Sequence, residues 1–281
     1  MSEKPPSSSS SAVAALSPLN RVTSPSLNLL PPNSPPRLFE SAVEHFSSIP
    51  WCAALIHDRS AAGGPLPGNG QAAIAFISQC VNPVSTRHDQ YVGRTLSHGH
   101  PYAATATAAG SSPPTSSTSS PLSSSDEAGD DGFEAERARG PPIRHMLSLF
   151  RPDDASQLRD PSRPILRVAS LFALGGGTSG YGGIVHGGLI ATILDESLGF
   201  VNELNTALGK EGDLFSASSV TASLNVKFLA PVTTTEKAIC VTSWIEAMQG
   251  RKTILKAEVT NGKGEKLAVA ESIWVAVKPR L

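Results

Sequence analysis

The chain has 281 residues, 24 of them glycine and 23 proline, and only 17 % are charged. Its net charge is −1, from 23 Lys+Arg against 24 Asp+Glu, which excludes a broadly basic nucleic-acid binder. No uninterrupted apolar run approaches the ~18 residues of a membrane-spanning helix, and three widely spaced cysteines, Cys52, Cys80 and Cys240, form neither a disulfide scaffold nor a zinc site and fit small buried side chains in an intracellular protein.

In chain order, residues 1–36 are a Ser/Pro/Ala-rich tail expected to be disordered. Their start lacks the apolar core of a secretory signal, and their lack of acidic residues between Pro5 and Phe39 leaves cytoplasm and mitochondrion both open as locations. Residues 37–102 are expected to form an N-terminal extension packed on the domain. Within them Leu38, Phe39, Val43, Phe46 and Ile49 approximate helical spacing, and Pro50-Trp51 ends the pattern. Ala53–Ile56 and Ala75–Val81 read as short strands. Residues 103–140 contain a low-complexity Ala/Thr/Ser/Pro insertion, which has too few large apolar residues to offset its ordering entropy. The globular domain is then expected over 141–281, opening with a short helical pattern at Ile143, Met146, Leu147 and Phe150.

A strand is predicted over Ile165–Leu174, followed by a glycine-rich loop, Gly175–Gly183. This loop contains a literal G-x-G-x-x-G, Gly175 to Gly180. It continues through Tyr181-Gly182-Gly183 before any helix, and no second parallel unit follows, so dinucleotide binding is not expected. Ile190, Ile193, Leu194, Leu198, Val201 and Leu204 then recur at three- and four-residue steps, which predicts the one long helix of this half. Four strand signals follow. Ser216–Leu229 alternates Ala222, Leu224, Val226 and Phe228 with polar residues. Lys237–Ala247 and Arg251–Thr260 come next, with a hairpin turn expected at Asn261-Gly262. Glu265–Val277 places Leu267, Val269, Ile273 and Val275 on one face. A single helix cannot cover both faces of a parallel sheet, so the predicted class is α+β: one curved antiparallel sheet wrapped around one long central helix.

Chemistry concentrates at that helix. His186-Gly187-Gly188 stands where it begins, at the end with free N–H groups and a positive dipole, an arrangement suited to a developing oxyanion. Asp195 lies two turns in, among Ala191, Thr192, Leu198 and Gly199, which leave room for a ligand; Glu196 is expected to face solvent or a subunit boundary. Taken alone, His186 as an ordinary loop residue and Asp195-Glu196 as a solvated stripe remain open readings. No Gly-x-Ser-x-Gly elbow and no metal spacing are present, and no cofactor is expected.

The segment Gly180–Gly199, with Gly183, His186-Gly187-Gly188, Thr192, Asp195 and Gly199, resembles the G-x-x-H-G-G-x-x-x-T-x-x-D-x-x-x-G signature of hotdog-fold acyl-CoA thioesterases, in their phenylacetate-pathway and carboxyl-terminal modulator protein-like branch. The similarity continues in Thr221–Pro231 and Gly250-Arg251-Lys252 and covers about residues 163–279. It implies a hotdog fold and hydrolysis of acyl-CoA to free acid and coenzyme A, at a site between subunits of a homodimer or dimer of dimers. By the same resemblance, Asp195 is nucleophile or general base and Thr221 positions water or the carboxylate. The Gly188 N–H, with Gly187, polarises the carbonyl, and His186 holds the loop or the carbonyl. Lys227, Arg251 and Lys252 match coenzyme A contacts. On a regular strand, however, Thr221 faces away from the helix unless the strand bulges. A non-catalytic hotdog module that binds acyl-CoA or a protein is the alternative, and a hotdog hydratase lacks its second motif here.

Overall fold

The computed structural model describes residues 36–59, 64–78, 142–216 and 219–277. The expectations for the tail, for the 103–140 insertion and for Cys80 fall outside the described residues, Pro36 excepted.

Two helices come first, α1 (Pro36–Ser47) and α2 (Pro50–His57). The segment Ala53–Ile56 is therefore helical and not a strand. Pro50 sits in the first turn of α2, where its missing N–H costs nothing, so Pro50-Trp51 starts a helix as well as ending one. A short strand β1 (Ile74–Phe76) is followed by β2 (Ile143–Phe150) and β3 (Arg167–Leu174). The helical pattern expected over Ile143–Phe150 is thus a strand. Its side chains alternate between two cores, Met146 and Phe150 on one face and Leu147 and Leu149 on the other. Burial on both faces erases the period of two from the sequence.

A hairpin of β4 (Ser179–Tyr181) and β5 (Ile184–Val185) leads into the long helix α3 (Gly187–Ala207), then the single turn α4 (Asp213–Ser216). Four strands complete the chain: β6 (Ser219–Phe228), β7 (Ile239–Gln249), β8 (Lys252–Thr260) and β9 (Lys266–Ala276). The seven-stranded sheet has the order β1-β2-β3-β7-β8-β9-β6, and every pairing in it is antiparallel. It wraps one long helix, which is the hotdog arrangement. Strand β6 is an edge.

The inner face of the sheet packs on α3. Ile190, Ile193, Leu194, Leu198, Val201 and Leu204 meet Val168, Phe172, Val241, Leu255 and Val259 in one core. On β9 the residues in this core are Leu267, Ala268 and Ala270, with Trp274 against it. Val269 instead lines a groove on the outer face, so the expected apolar set is split: Leu267 joins the core and Val269 does not. The β8–β9 connection also differs from the expected tight turn: Thr260 pairs with Lys266, and Gly264, not Gly262, takes the left-handed conformation at φ 78°. Asn261 organises this loop through its side chain, accepting from the N–H groups of Lys263 and Glu265.

The outer face of β2, β3 and the start of β7 carries a second core. Leu147, Leu149, Ala169, Leu171 and Cys240 are covered by Ala42, Phe46, Ile49, Cys52 and Leu55 of the two N-terminal helices and their junction. Arg151 ties the same region down, donating to the carbonyls of Leu66 and Asp58 at 2.7 Å each. The N-terminal segment therefore supplies β1 to the sheet and a lid to half of its outer face.

Candidate active site

The glycine-rich loop is folded, not merely flexible. Gly183 turns the β4–β5 hairpin at φ 74°, and the hairpin is tied to the β6–β7 connection by Val185 N–H to Val232 O and Thr234 N–H to Gly183 O. The His186 N–H donates to Thr178 O. Gly180 packs directly on His186; a Cβ there would lie 2.9 Å from the His186 Cα. These contacts deliver His186 as the N-cap of α3.

The imidazole folds back on the helix. Its Nδ1 accepts a 2.9 Å hydrogen bond from the Gly188 N–H. A nitrogen that accepts carries no proton, so the neutral ring holds its hydrogen on Nε2, on an exposed residue. This bears on the expectation for Gly188: its N–H is occupied by His186 in this structure. Gly188 needs to be glycine for the same reason, because a Cβ would lie 2.9 Å from the ring. Gly187 lies against the Phe228 ring, 3.4 Å from where its Cβ would be.

Asp195 is half-buried, and its Oδ1 accepts from the Thr221 hydroxyl at 2.9 Å. The strand bulges to permit this. Thr221 pairs with Trp274 and Ser223 with Ile273, so Ala222 is the extra residue and the facing of side chains switches across it. Thr221 thereby joins Leu224 and Val226 on the helix side. Burial raises the Asp195 carboxyl above the ordinary carboxylate range, and the Thr221 hydrogen bond opposes that rise. Among the described residues no cation pairs with it.

Glu196 does not stand in free solvent. It is half-buried, and burial, reinforced by the charges of Asp195 and Glu203, pushes it up to about 7. Sequence periodicity gave its direction around the helix but not the cover over it.

The expected basic set is not one cluster. Lys252 pairs with Val275, whereas Lys227 pairs with Val269 on the same strand, a separation of roughly 20 Å along β9. Arg251 folds onto the sheet end, its Nε donating to Ala276 O at 3.0 Å. Lys227 instead lines an outer-face groove of about 390 Å³ with Trp244, Lys256, Lys266, Glu258 and Glu271. Lys256 and Lys266 there are paired with Glu246 at 3.1 Å and Glu258 at 2.7 Å. Among the described residues no His/Cys/Asp/Glu group could hold a metal, and no helix is long and apolar enough to cross a membrane.

Residues 182–268 match the thioesterase superfamily. Verlamelin biosynthesis protein B of Lecanicillium sp. is 29 % identical over 160 residues, covering 49 % of this chain and 68 % of that protein. Similar solved structures include zebrafish thioesterase superfamily member 2, at 18 % identity and TM-score 0.35, covering 41 % of this chain and 78 % of its own. Another is the Escherichia coli PaaI protein of the phenylacetic acid degradation operon, at 12 % identity and TM-score 0.34, covering 41 % and 79 %. A third is a Bacillus halodurans protein solved with CoA, at 23 % identity and TM-score 0.35, covering 41 % and 70 %. The match to the thioesterase superfamily spans α3 and its N-cap together with strand β6, which holds both Thr221 and Lys227, so this segment of the chain is similar to that superfamily.

Proposed function

We propose that this protein hydrolyses acyl-CoA thioesters to the free acid and coenzyme A, as a homodimer whose sites each draw on both subunits. The observation that carries this reading is the Asp195–Thr221 pair: a half-buried carboxylate with a raised pKa, no cationic partner among the described residues, and a hydroxyl fixing its orientation. Such a group suits a general base at neutral pH. It takes a proton from water as the water oxygen attacks the thioester carbonyl. The carbon–sulfur bond then breaks, and the departing thiolate takes up a proton to leave as coenzyme A.

Distance supports the dimer. His186 and Asp195 are nine residues apart along the helix, which is about 13 Å of axis. A thioester carbonyl needs its attacking and stabilising groups within about 3–3.5 Å. One chain's Asp195 therefore works against the helix N-terminus of a second copy. Edge strand β6 and the exposed Tyr181, Phe228 and Leu229 beside that N-terminus fit an intersubunit surface. In this arrangement the His186 Nε2–H and the positive end of α3 face the developing oxyanion.

The test is thiol release by the purified chain over short, medium, long and aromatic acyl-CoA substrates, with Asp195→Asn alongside. Turnover by wild type and its loss in the variant support the reading. Binding of acyl-CoA without thiol release from any substrate points instead to a non-catalytic hotdog module.

A further inference from the structure

The stripe of α3 that carries Asp195 runs on beyond it. At about 100° per residue, Asn202 returns to within about 20° of the Asp195 direction, roughly 10 Å further along the axis. Gly199 stands between them, and Trp274 Cη2 sits 3.2 Å from where a Gly199 Cβ would be. Trp274 is also the cross-strand partner of Thr221, which binds Asp195. Asp195, Thr221, Gly199, Trp274 and Asn202 thus border one strip between the helix and the β6–β9 edge of the sheet.

Asn202 is only 5 % exposed, yet among the described residues neither its Oδ1 nor its Nδ2 has a hydrogen-bond partner. The contrast with Asn205 is direct. That side chain donates to the carbonyls of Ile165 and Val201 at 2.8 Å each and accepts from the Ile165 N–H at 2.7 Å, so it is a satisfied structural asparagine. The Nε1 of Trp274, whose ring lies against Gly199, is likewise buried and has no partner among the described residues. Buried polar groups are ordinarily paired, and one that is not calls for an explanation.

We infer that this strip receives the acyl group and that Asn202 recognises a polar function on it, a hydroxyl in preference to an oxo group, set well away from the thioester. The inference rests on the hydrolase reading of Asp195 and names its substrate class. A hydroxyl donates to Oδ1 and accepts from Nδ2, meeting both halves of the carboxamide. An oxo group meets only the donor, and a plain methylene meets neither. A site built to hydrogen-bond a hydroxyl discriminates strongly against the analogue that lacks it.

The experiment compares kcat/KM for dodecanoyl-CoA and its regioisomeric hydroxy and oxo derivatives in wild type, Asn202→Leu and Asn202→Ala. The expected result is at least about ten-fold preference of wild type for one hydroxy regioisomer, with that preference lost in either variant. Equal rates across the series in wild type, or a preference that survives in both variants, overturn the inference. Calorimetric binding of the same ligands to the Asp195→Asn protein reads the preference without turnover. Absence of hydrolysis alone then sinks the hydrolase reading, while equal affinities across the series sink the role of Asn202.

Discussion

Thr221 donates its hydroxyl hydrogen to Asp195 Oδ1 at 2.9 Å, and it reaches that carboxylate only because β6 bulges at Ala222. The bond fixes the direction of the carboxylate and opposes the rise in pKa that burial imposes. Asp195→Asn is expected to lower kcat/KM by about 10²–10⁴ with little change in Tm. Thr221→Val removes a bond to the charged form, so the Asp195 pKa rises further. The acid limb of the pH–kcat/KM profile should then move to higher pH, with the loss of activity greatest on the acidic side. An unmoved limb in Thr221→Val would show that Asp195 is not the titrating base.

Gly188 and Gly180 are predicted to be intolerant for different reasons. A Cβ at Gly188 meets the His186 ring at 2.9 Å, so the ring must swing away and lose the N-cap bond. Gly188→Ala should cost about 1 kcal/mol of stability and a larger fraction of activity. A Cβ at Gly180 meets the His186 Cα, which is backbone. Gly180→Ala must therefore displace the loop itself and should lose more activity than Gly188→Ala. Parallel thermal melts and initial rates decide both.

Glu196 is expected to make stability depend on pH. Its folded pKa of about 7 is raised above the unfolded value, by burial first and then by Asp195 and Glu203. Its full contribution is present below the unfolded glutamate value of about 4.3 and is lost as pH rises through about 7. Asp195 acts with the same sign. Tm should fall between pH 5 and pH 8, and Glu196→Gln should flatten the decline and stabilise the protein at pH 8 by on the order of 2 kcal/mol. A variant with the wild-type slope would assign the dependence to other groups.

Phe46 is fully buried in the outer-face core, remote from Asp195. Phe46→Ala should cost about 3–5 kcal/mol, read as a lowered denaturation midpoint, while the folded fraction keeps its kcat. Loss of kcat with unchanged stability would place the N-terminal helices at the site instead.

The local sequence determined the elements whose two sides differ. Helix α3 is visible because Ile190, Ile193, Leu194, Leu198, Val201 and Leu204 face the sheet and the opposite stripe does not, and β6 is visible through its alternation. The N-terminal position of His186-Gly187-Gly188 and the direction of Asp195 follow from that helix alone. Tertiary structure decided the rest. Strand β2 is hidden because Met146 and Leu147 are buried on opposite faces, and the second of those cores exists only when α1 and α2 dock. The facing of Thr221 depends on a bulge fixed by pairing with Trp274 and Ile273, about fifty residues away in sequence. The separation of Lys227 from Lys252 follows from two registers along one β9. One-sided burial writes a period into the chain, whereas two-sided burial, register and the partner of a single N–H arise from residues that meet only in the folded molecule.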